Sequence, residues 1–442
     1  MVDTNSCTVN LLIRKHEVGT KGAFRLARAI AAVAFSVATS LAIGILEGSN
    51  LAAVAMELQP AISRSGEGLV RSINEALRSA TYWDGADGAM TVELSPTKTL
   101  WLFGDTLIAG GPKQGHPHRK MINNSVAIQD SSCDSAEGNT QSFDNVCIDS
   151  TCWSFWHRGK LHHPESVFAA EPADSYYWPG CGTVYDGKLY LLMKKIRKKD
   201  NPDPLFQFDW YADDLLIVSN PQDPPNKWVY TAYPLATLNH EVEYGLACTK
   251  DKDYFYSLCF LSDLPKKEKK AILARISWKD LLAKNTNNWQ YWSDSEKQPQ
   301  GLWEASYRNA KNIIPDCGPE ASLFFHRGLN CFVAVYQPPL SPEVKLRVAR
   351  KIEGPWSETF EIYKVPARLL KDGKSALSYA GKAHESLSSG NTIGFSYCEN
   401  PGGLEQHVDN PGIYFPTVRS YTIEPQTVRE MLDGAGSAKP KP

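Results

Sequence analysis

Four acidic side chains stand at comparable distances before four separate apolar runs in this chain of 442 residues. Each lies eight to thirteen residues ahead of its run: Asp87, Glu243, Glu320 and Glu385 precede the runs that begin at Leu100, Tyr254, Cys331 and Ile393, respectively. If these runs are equivalent strands of one fold, the four carboxylates converge on one place. Separated carboxylates around a polar cleft suit glycosidic hydrolysis, in which one is the general acid for the leaving oxygen and another is the base or nucleophile.

Asp105 adds a fifth carboxylate through the geometry of a hairpin. Asp87 and Asp105 each lie nine residues from Pro96, so a hairpin that turns at Pro96 places them opposite each other. Like charges at that distance are destabilising unless one is protonated or both serve a ligand. The pair therefore indicates a functional role. The alternative is that Asp105 only hydrogen-bonds backbone at the end of a strand.

A fifth apolar run, which begins at Leu189, follows an aromatic motif instead of an acid. Trp178, Pro179 and Gly180 stand about ten residues ahead of it, which places an aromatic plane among the carboxylates. His384 is the neighbour of Glu385 and could orient that carboxylate or bind substrate. A structural histidine is the alternative at that position.

The five runs are typical of the second strands of β-hairpins. Each follows an apolar segment and a short polar turn of the kind that tight reversals favour. The runs begin 62 to 89 residues apart, and each interval is long enough for about four short strands. The sequence therefore predicts an all-β fold, a five-bladed β-propeller over residues 81–425. The alternative is a pair of β-sandwiches, although no linker divides the chain near its middle.

The first 55 residues differ in composition from the rest of the chain. Up to Arg28 the basic residues exceed the acidic ones by three, and residues 29–46 carry no charge. This layout is typical of an export signal, and the small residues at 53–55 predict cleavage after Ala55. The alternatives are an uncleaved signal anchor and a cytoplasmic protein with a buried helix. We expect a periplasmic or secreted protein, with the membrane involved only if the anchor is retained.

Two shorter segments flank the predicted propeller. Residues 56–80 are predicted to form an N-terminal helical segment, because apolar side chains recur at helical spacing over residues 61–80. Residues 426–442, which end in Lys-Pro-Lys-Pro, are predicted to be a disordered tail.

Composition excludes several classes of protein. The 47 basic and 49 acidic side chains nearly cancel, which leaves no electrostatic footprint for nucleic acid. The 12 Trp, 19 Tyr and 16 Phe residues are too many for a chain that is disordered over most of its length. Aromatic side chains in this number suit strands and sugar-facing clefts.

Cysteine and histidine positions predict a disulfide and no metal centre. Cys133, Cys147 and Cys152 share one polar stretch, where a local disulfide is expected in an exported protein. His116 and His118 form an H-x-H motif without an evident third ligand. The acids between residues 130 and 149 lack the pattern of a calcium loop. We therefore expect neither a metal site nor a cofactor.

A series of short motifs resembles a family of bacterial glycoside hydrolases that includes endo-D-arabinanases and was long catalogued as a domain of unknown function. The motifs follow one another blade by blade over about residues 80–420: LWLFGDT (100–106), NNSVA (123–127), YWPG (177–180), DGKLY (186–190), YG (244–245), ARI (274–276), WQYW (289–292), GPWS (354–357), HE (384–385) and SY (396–397). The sequence departs from the family at Ser386, where a proline would be expected after the histidine motif. It departs again in the Cys-rich insertion 130–160, which could reshape the cleft.

The resemblance implies a five-bladed propeller that cleaves furanoside-containing polymers through axial carboxylates. Transferred to this chain, the catalytic acids are Asp87, Asp105, Glu243 and Glu320 in acid, base or charge-tuning roles. Substrate-binding side chains are expected as follows: Trp178 and Tyr244 stacking on sugar rings, Asn124 bonding to hydroxyls, and His384 with Glu385 beside them. The expected partner is a polysaccharide or oligosaccharide bound by a monomer. A non-catalytic carbohydrate-binding propeller and a structural envelope protein are the alternatives.

Overall fold

Antiparallel β-strands make up most of the chain in a computed structural model that describes residues 64–109, 119–132, 141–143, 146–150, 152–200, 207–235, 241–263, 268–295 and 298–435. The strands are, in chain order, β1 (Trp83–Ala86), β2 (Met90–Ser95), β3 (Lys98–Phe103), β4 (Thr106–Ala109), β5 (Arg119–Ile122), β6 (Ser125–Asp130), β7 (Gln141–Phe143), β8 (Val146–Ser150), β9 (Trp153–Trp156), β10 (Arg158–Lys160), β11 (His163–Glu165), β12 (Ser175–Tyr185), β13 (Lys188–Lys198), β14 (Phe208–Val218), β15 (Tyr230–Pro234), β16 (Val242–Lys250), β17 (Tyr254–Asp263), β18 (Glu268–Ser277), β19 (Gln290–Ser295), β20 (Gln298–Glu304), β21 (Ala321–His326), β22 (Cys331–Tyr336), β23 (Glu343–Ala349), β24 (Phe360–Lys364), β25 (Leu377–Ser389), β26 (Thr392–Asn400) and β27 (Thr417–Thr422). The helices are α1 (Arg64–Ser79), α2 (Trp278–Leu282), α3 (Leu404–Asp409) and α4 (Pro425–Gly434), with single 3-10 turns at Pro225–Lys227 and Tyr307–Asn309. Residues 60–261 and 270–442 form one compact unit, and the other unit, residues 1–59 with 262–269, lies almost entirely outside the described residues.

Most strands belong to five sheets of meandering antiparallel strands. Their strand orders are β2-β3-β6-β9-β8-β7 in sheet 1, β12-β13-β14-β15 in sheet 2, β16-β17-β18-β19-β20 in sheet 3, β21-β22-β23-β24 in sheet 4 and β25-β26-β27 in sheet 5. A small sheet, β1-β4-β5, and a two-stranded ribbon, β10-β11, complete the described strands. The five runs that the sequence predicted as second strands are β3, β13, β17, β22 and β26, and each pairs with the strand before it. The five predicted hairpins are thus confirmed.

The first strands of the five sheets lie side by side. Strand β2 contacts β12, β12 contacts β16, β16 contacts β21, β21 contacts β25, and β25 contacts β2. Five apolar clusters follow the same order between successive sheets, and the last one joins sheet 5 to sheet 1. Burial of one large apolar side chain contributes about 1.5–3 kcal/mol, so these clusters hold the sheets against one another.

Helix α1 closes the outer edge of sheet 5. Its residues Ile73 and Leu77, one turn apart, are 1% and 0% exposed and pack into the cluster between sheets 5 and 1. Between them Asn74 makes two hydrogen bonds of 2.9 Å to the backbone of Val418 in β27: its amide nitrogen donates to the carbonyl, and its amide oxygen accepts from the N–H. The side chain of Asn74 thereby takes the place of a strand residue beside β27.

The C-terminal segment departs from the prediction of a disordered tail over residues 426–442. Helix α4 begins at Pro425, and Val428 is buried in the cluster between sheets 4 and 5, with Met431 and Leu432 packed against that cluster. These apolar side chains at helical spacing order the segment as far as Gly434. Residues 436–442 lie outside the described residues.

The described part of the cysteine-rich stretch extends sheet 1. Strands β7, β8 and β9 join the sheet on the side opposite β2, the strand that meets the other sheets. Cys152, at the start of β9, is disulfide-bonded. The thiols of six other cysteines are free: Cys181, Cys248, Cys259, Cys317, Cys331 and Cys398.

The predicted export signal, residues 1–55, lies outside the described residues. Within the part of the chain that the structure describes, no helix combines the length and the apolar composition that crossing a bilayer would require.

Candidate active site

The small sheet brings Asp87 and Asp105 together. Asp87 directly follows β1, and Asp105 directly precedes β4. The flanking residues Ala86 and Thr106 are paired across these strands. The N–H of Asp87 donates to the carbonyl oxygen of Asp105 at 3.3 Å. The two acids are therefore the cross-strand neighbours that their equal distance from Pro96 predicts.

Asp87 is surrounded by acids and neutral hydrogen-bond donors. The hydroxyl of Tyr379 donates to its Oδ2 at 2.7 Å. Burial, together with the charges of Asp105 and Glu320, raises the pKa of Asp87 to about 7, although hydrogen bonds from Tyr379 and Tyr414 oppose the rise. Asp87 consequently retains its proton at a pH where an exposed aspartate is fully ionised.

Asp105 accepts hydrogen bonds from two neutral side chains. Its Oδ1 receives the indole N–H of Trp178 at 2.8 Å and the amide of Asn123 at 3.0 Å. Burial raises the pKa of Asp105, and these two hydrogen bonds oppose the change. Among the described residues, no cationic side chain forms an ion pair with Asp87 or Asp105. The two acids therefore share a site in which the presence of a proton is favoured over two negative charges.

Glu320 lies next to the aspartate pair but has a cationic partner. It directly precedes β21, and its Oε2 accepts from the Lys382 ammonium at 2.5 Å. Lys382 is 1% exposed and also donates to the carbonyl oxygen of Gly88. Lys382 thus connects Glu320 to the loop that carries Asp87, while the charge of Glu320 acts on Asp87 itself.

Glu243 occupies a similar ion pair at the start of β16. Its Oε1 accepts from the Lys194 ammonium at 2.5 Å, and both side chains are buried. The charges of Glu243 and Asp213 raise the pKa of Lys194, whereas burial lowers it. Burial and the charge of Glu243 raise the pKa of Asp213 to about 7, although the charge of Lys194 opposes the rise. One ammonium therefore lies between two acids.

Bulges shape the first strands where they reach these residues. Three of them interrupt the pairing with the second strands, between Pro179 and Cys181 in β12, Glu243 and Ala247 in β16, and Tyr379 and Lys382 in β25. A bulge redirects the side chains beside it and is common next to active sites. These irregularities lie directly beside Trp178, Glu243 and Tyr379, the residues of these strands that reach the acids.

Two glycines allow β12 and β16 to approach each other at this point. A Cβ on Gly180 would lie only 2.7 Å from the carbonyl oxygen of Gly245, and Gly245 itself has a φ of +83°. A side chain at Gly180 would push the strands apart, and one at Gly245 would be strained. The glycines therefore keep Trp178 and Glu243 on neighbouring strands close together.

Two of the predicted substrate-binding residues belong to the interior. Asn124 is fully buried, and its amide bonds to backbone groups of Phe168 and Tyr177, so it has no free group for a sugar hydroxyl. Tyr244 is 2% exposed, and its hydroxyl lies 2.5 Å from that of Tyr291. Both predictions were wrong. Successive residues of β16 point to opposite faces, so Glu243 meets Lys194 while Tyr244 packs in the interior. Asn123 and Asn124 lie between β5 and β6, where Asn123 bonds to Asp105 and Asn124 bonds to buried backbone groups.

His384 and Glu385 also lie away from the aspartate pair. His384 is 1% exposed, and its ring nitrogens bond to Thr91 and Ser396 at 3.0 and 2.8 Å. Burial lowers its pKa to about 3, so it is a neutral structural histidine. Glu385 is exposed. Strand β25 is thirteen residues long and contains two bulges. Glu385, eight residues before the apolar run of β26, therefore lies in the second half of β25 and not at its start, where the other acids lie.

The site also contains residues that the sequence analysis did not select. They are Asn123, Lys194, Asp213, Tyr379, Lys382 and Tyr414. The pairing of Ile122 with Thr106 places Asn123 at the same end of the small sheet as the two acids. A predicted pairing of β5 with β4 would therefore have indicated Asn123 as a site residue. Tyr379 comes from sheet 5, 292 positions after Asp87, and Tyr414 comes from the loop before β27, 327 positions after Asp87. No local pattern connects either tyrosine to Asp87.

The described residues contain no group of three or more His, Cys, Asp or Glu side chains placed to hold a metal ion. His116 and His118 lie outside the described residues.

Comparison with known families places this chain in a group without a described function. Residues 71–417 match the family described as Domain of unknown function (DUF5005). The chain belongs to this family. A search of curated protein sequences finds no match.

Solved structures resemble this chain to different degrees. A Bacteroides ovatus ATCC 8483 protein, provisionally described as a hydrolase, is 16% identical with a TM-score of 0.60, and the match covers 82% of this chain and 91% of that one. A GH43 β-xylosidase/α-arabinofuranosidase from a compost microbial metagenome is 13% identical with a TM-score of 0.40, covering 79% and 93%. The GH32 β-fructofuranosidase of Bombyx mori is 10% identical with a TM-score of 0.39, covering 80% and 65%.

Proposed function

We propose that this protein is a glycoside hydrolase that cleaves furanosidic, arabinan-like bonds in a polysaccharide. The observation that carries the proposal is the partly buried Asp87–Asp105 pair, whose carboxyl groups meet neutral donors and, among the described residues, no cation. A fold keeps two adjacent acids uncompensated at a cost in stability, and such pairs are characteristic of acid and base catalysis. The resemblance of the sequence to endo-D-arabinanases supports the choice of bond.

The overall architecture that we propose is a five-bladed β-propeller. The five hairpin-led sheets, the cyclic contacts of their first strands and the apolar clusters between successive sheets support it. In a propeller the starts of the innermost strands surround one mouth of the central channel. Asp87, Trp178, Glu243, Glu320 and Tyr379 would then line that mouth.

The two aspartates would divide the chemistry between them. Asp87, with its pKa raised to about 7, would donate its proton to the leaving glycosidic oxygen as the bond to the anomeric carbon breaks. Asp105, held as a carboxylate by Trp178 and Asn123, would take a proton from the attacking water or attack the anomeric carbon itself. The negative charge of Glu320 would help to raise the pKa of Asp87, and Lys382 would hold Glu320 in position through its ion pair.

Export is part of the proposal. The leader-like residues 1–55 support a periplasmic or secreted enzyme, cleaved or anchored, that meets its polysaccharide outside the cytoplasm. We propose that it acts there as a monomer.

The test is hydrolysis by the full-length chain. Purified protein is incubated with arabinans, fructans and arabinogalactans, and the release of reducing ends and oligosaccharides is followed by chromatography. We expect product from at least one arabinan, and none above background from D87N and D105N variants that retain the circular dichroism spectrum of the native protein. If none of the polysaccharides yields product, the proposal that this protein is a glycoside hydrolase is refuted.

A second candidate function is non-catalytic carbohydrate binding. It is favoured by the ion pairs of Glu243 and Glu320, because lysine compensates the charge of both acids. Retention of a polysaccharide on the protein without any cleavage would support it over hydrolysis.

A further inference from the structure

Three half-buried aromatic side chains form a cluster beside Asp105. Trp178 in β12 donates its indole N–H to Asp105. The edge of its ring meets the ring of Phe208, at the start of β14, with 4.6 Å between centroids, and Tyr176 lies 5.8 Å from Trp178 on its own strand. We name Tyr176, Trp178 and Phe208 the aromatic platform.

The aromatic platform is separate from the apolar interior. None of its members takes part in the buried clusters that join the sheets. Aromatic residues of sheet 1 such as Trp101 and Phe103, by contrast, are fully buried in such a cluster. Each platform residue keeps part of its surface accessible. Aromatic side chains grouped at the surface next to buried acids are characteristic of binding sites.

The platform is also electrostatically part of the acid site. Burial raises the pKa of Tyr176, and the charge of Asp105 raises it further. The phenol therefore lies within the field of that carboxylate. A ligand on the platform consequently reaches the aspartate pair directly.

Sugar units match this combination of surfaces. The C–H faces of a furanose or pyranose pack on aromatic rings, and its hydroxyls bond to the carboxyl and phenol groups around them. We infer that Tyr176, Trp178 and Phe208 bind the sugar unit adjoining the one that is cleaved. The enzyme therefore acts on chains of several sugar units and disfavours a single terminal glycoside. This inference rests on the proposed function, because the platform is defined relative to the bond that Asp87 and Asp105 cleave.

The dependence of catalysis on chain length tests the platform. Binding energy from sugar units beyond the cleaved bond can be used to lower the barrier, so a longer chain is cleaved faster. We expect kcat/KM of the full-length protein to rise with the length of oligosaccharides prepared from the polysaccharide that it cleaves. Phe208→Ala should lower kcat/KM about tenfold for long chains, an effect of the size that one lost stacking contact gives. The loss should be smaller for an aryl glycoside of one sugar, which has no second sugar unit to lie on the platform.

Phe325→Ala is the matched control. Phe325 is 39% exposed and makes a similar edge contact, 5.3 Å between ring centroids, with Phe332 in sheet 4. Phe325→Ala should have the same kcat/KM values as the native protein. Phe208→Trp should retain the increase of kcat/KM with chain length. Equal effects of Phe208→Ala on long and short substrates, or the same loss in Phe325→Ala, would overturn the inference.

A binding measurement separates failure of the platform from failure of the proposed function. The native chain and Phe208→Ala are compared by affinity electrophoresis in gels that contain each polysaccharide. If the native chain cleaves nothing but is retarded in a way that depends on Phe208, hydrolysis is refuted and the sugar platform stands. If retardation does not depend on Phe208, the platform is refuted.

Discussion

Asp87 and Asp105 differ from Glu243 and Glu320 in the groups that face them, although all four acids lie at or near the starts of strands. The aspartates face tyrosine, tryptophan and asparagine donors. Each glutamate faces a buried lysine at 2.5 Å. An ammonium compensates a carboxylate, whereas a neutral donor leaves its charge exposed to the next acid. Residue type therefore predicts which side chains are near the site, but the partner decides which of them can exchange a proton.

The largest expected effect separates the two kinds of acid by activity. Asp87→Asn or Asp105→Asn should lower kcat/KM by about a thousandfold, since each removes a group that transfers a proton or attacks the substrate. Glu243→Gln and Glu320→Gln should lower it by about tenfold or less. The rates are measured on the polysaccharide that the native protein cleaves. If Glu243→Gln lowers kcat/KM as much as Asp105→Asn does, the distinction between aspartates that act on the substrate and glutamates paired with lysine does not hold.

The next effect concerns stability. Lys382→Met leaves Glu320 as an uncompensated acid and should lower the free energy of unfolding by about 3 kcal/mol, as measured in urea. The double variant Glu320→Met/Lys382→Met should recover most of that loss, because it buries no unpaired charge. If the double variant is as unstable as the single one, the ion pair is not what stabilises this region.

A smaller effect is expected in the pH dependence. With the pKa of Asp87 raised to about 7, the acid form is lost as the pH rises through that value, so kcat/KM should fall on the alkaline side. Glu320→Gln removes a charge that raises the pKa of Asp87, so the falling limb should move to lower pH. Rate profiles between pH 4 and 9 measure both, and an unmoved limb in Glu320→Gln would contradict the coupling.

The stability of the protein provides a control for that assignment. A carboxyl whose pKa is raised on folding stabilises the fold below its unfolded pKa, and this contribution is lost as the pH rises toward 7. The native protein should therefore lose a few kcal/mol relative to Asp87→Asn between pH 4 and pH 8. A parallel pH dependence of the two proteins would show that Asp87 titrates normally.

The smallest expected effect is at Glu385. Because this exposed residue lies in the far half of β25, Glu385→Gln should leave kcat/KM and the pH profile unchanged within twofold. Glu320→Gln in the same assay is the comparison. A loss of activity in Glu385→Gln would mean that acids at both ends of the first strands contribute to the site.

The sequence predicts the parts of this molecule that depend on short-range order. Five hairpins and the opposition of Asp87 and Asp105 follow from turn residues and strand pairing within about twenty positions. The same reasoning failed at Tyr244, where an error of one residue reverses the face of a strand, and at Asn124, which lies between two strands and bonds to buried backbone groups. It failed at His384 because β25 is long and contains bulges, so the distance in sequence from the next strand did not indicate the position of this residue along β25.

The partners of the acids are set by packing between distant segments. Tyr379 meets Asp87 from a strand 292 positions away, and Lys382 reaches Glu320 across neighbouring sheets. These contacts depend on the order in which five sheets pack, which hydrophobic periodicity within one segment does not determine. A lysine near an acid in space is therefore invisible in a single sequence.

The two hydrogen bonds between Asn74 and Val418 affect the protein's behaviour in concentrated solution. An exposed edge strand recruits strands from other molecules, which leads to domain swapping and aggregation. Here one amide side chain occupies the outward donor and acceptor of Val418, one residue of the edge strand β27. Colloidal stability thus depends on a helix that precedes the first sheet, and loss of α1 would expose a self-association surface at the opposite end of the chain.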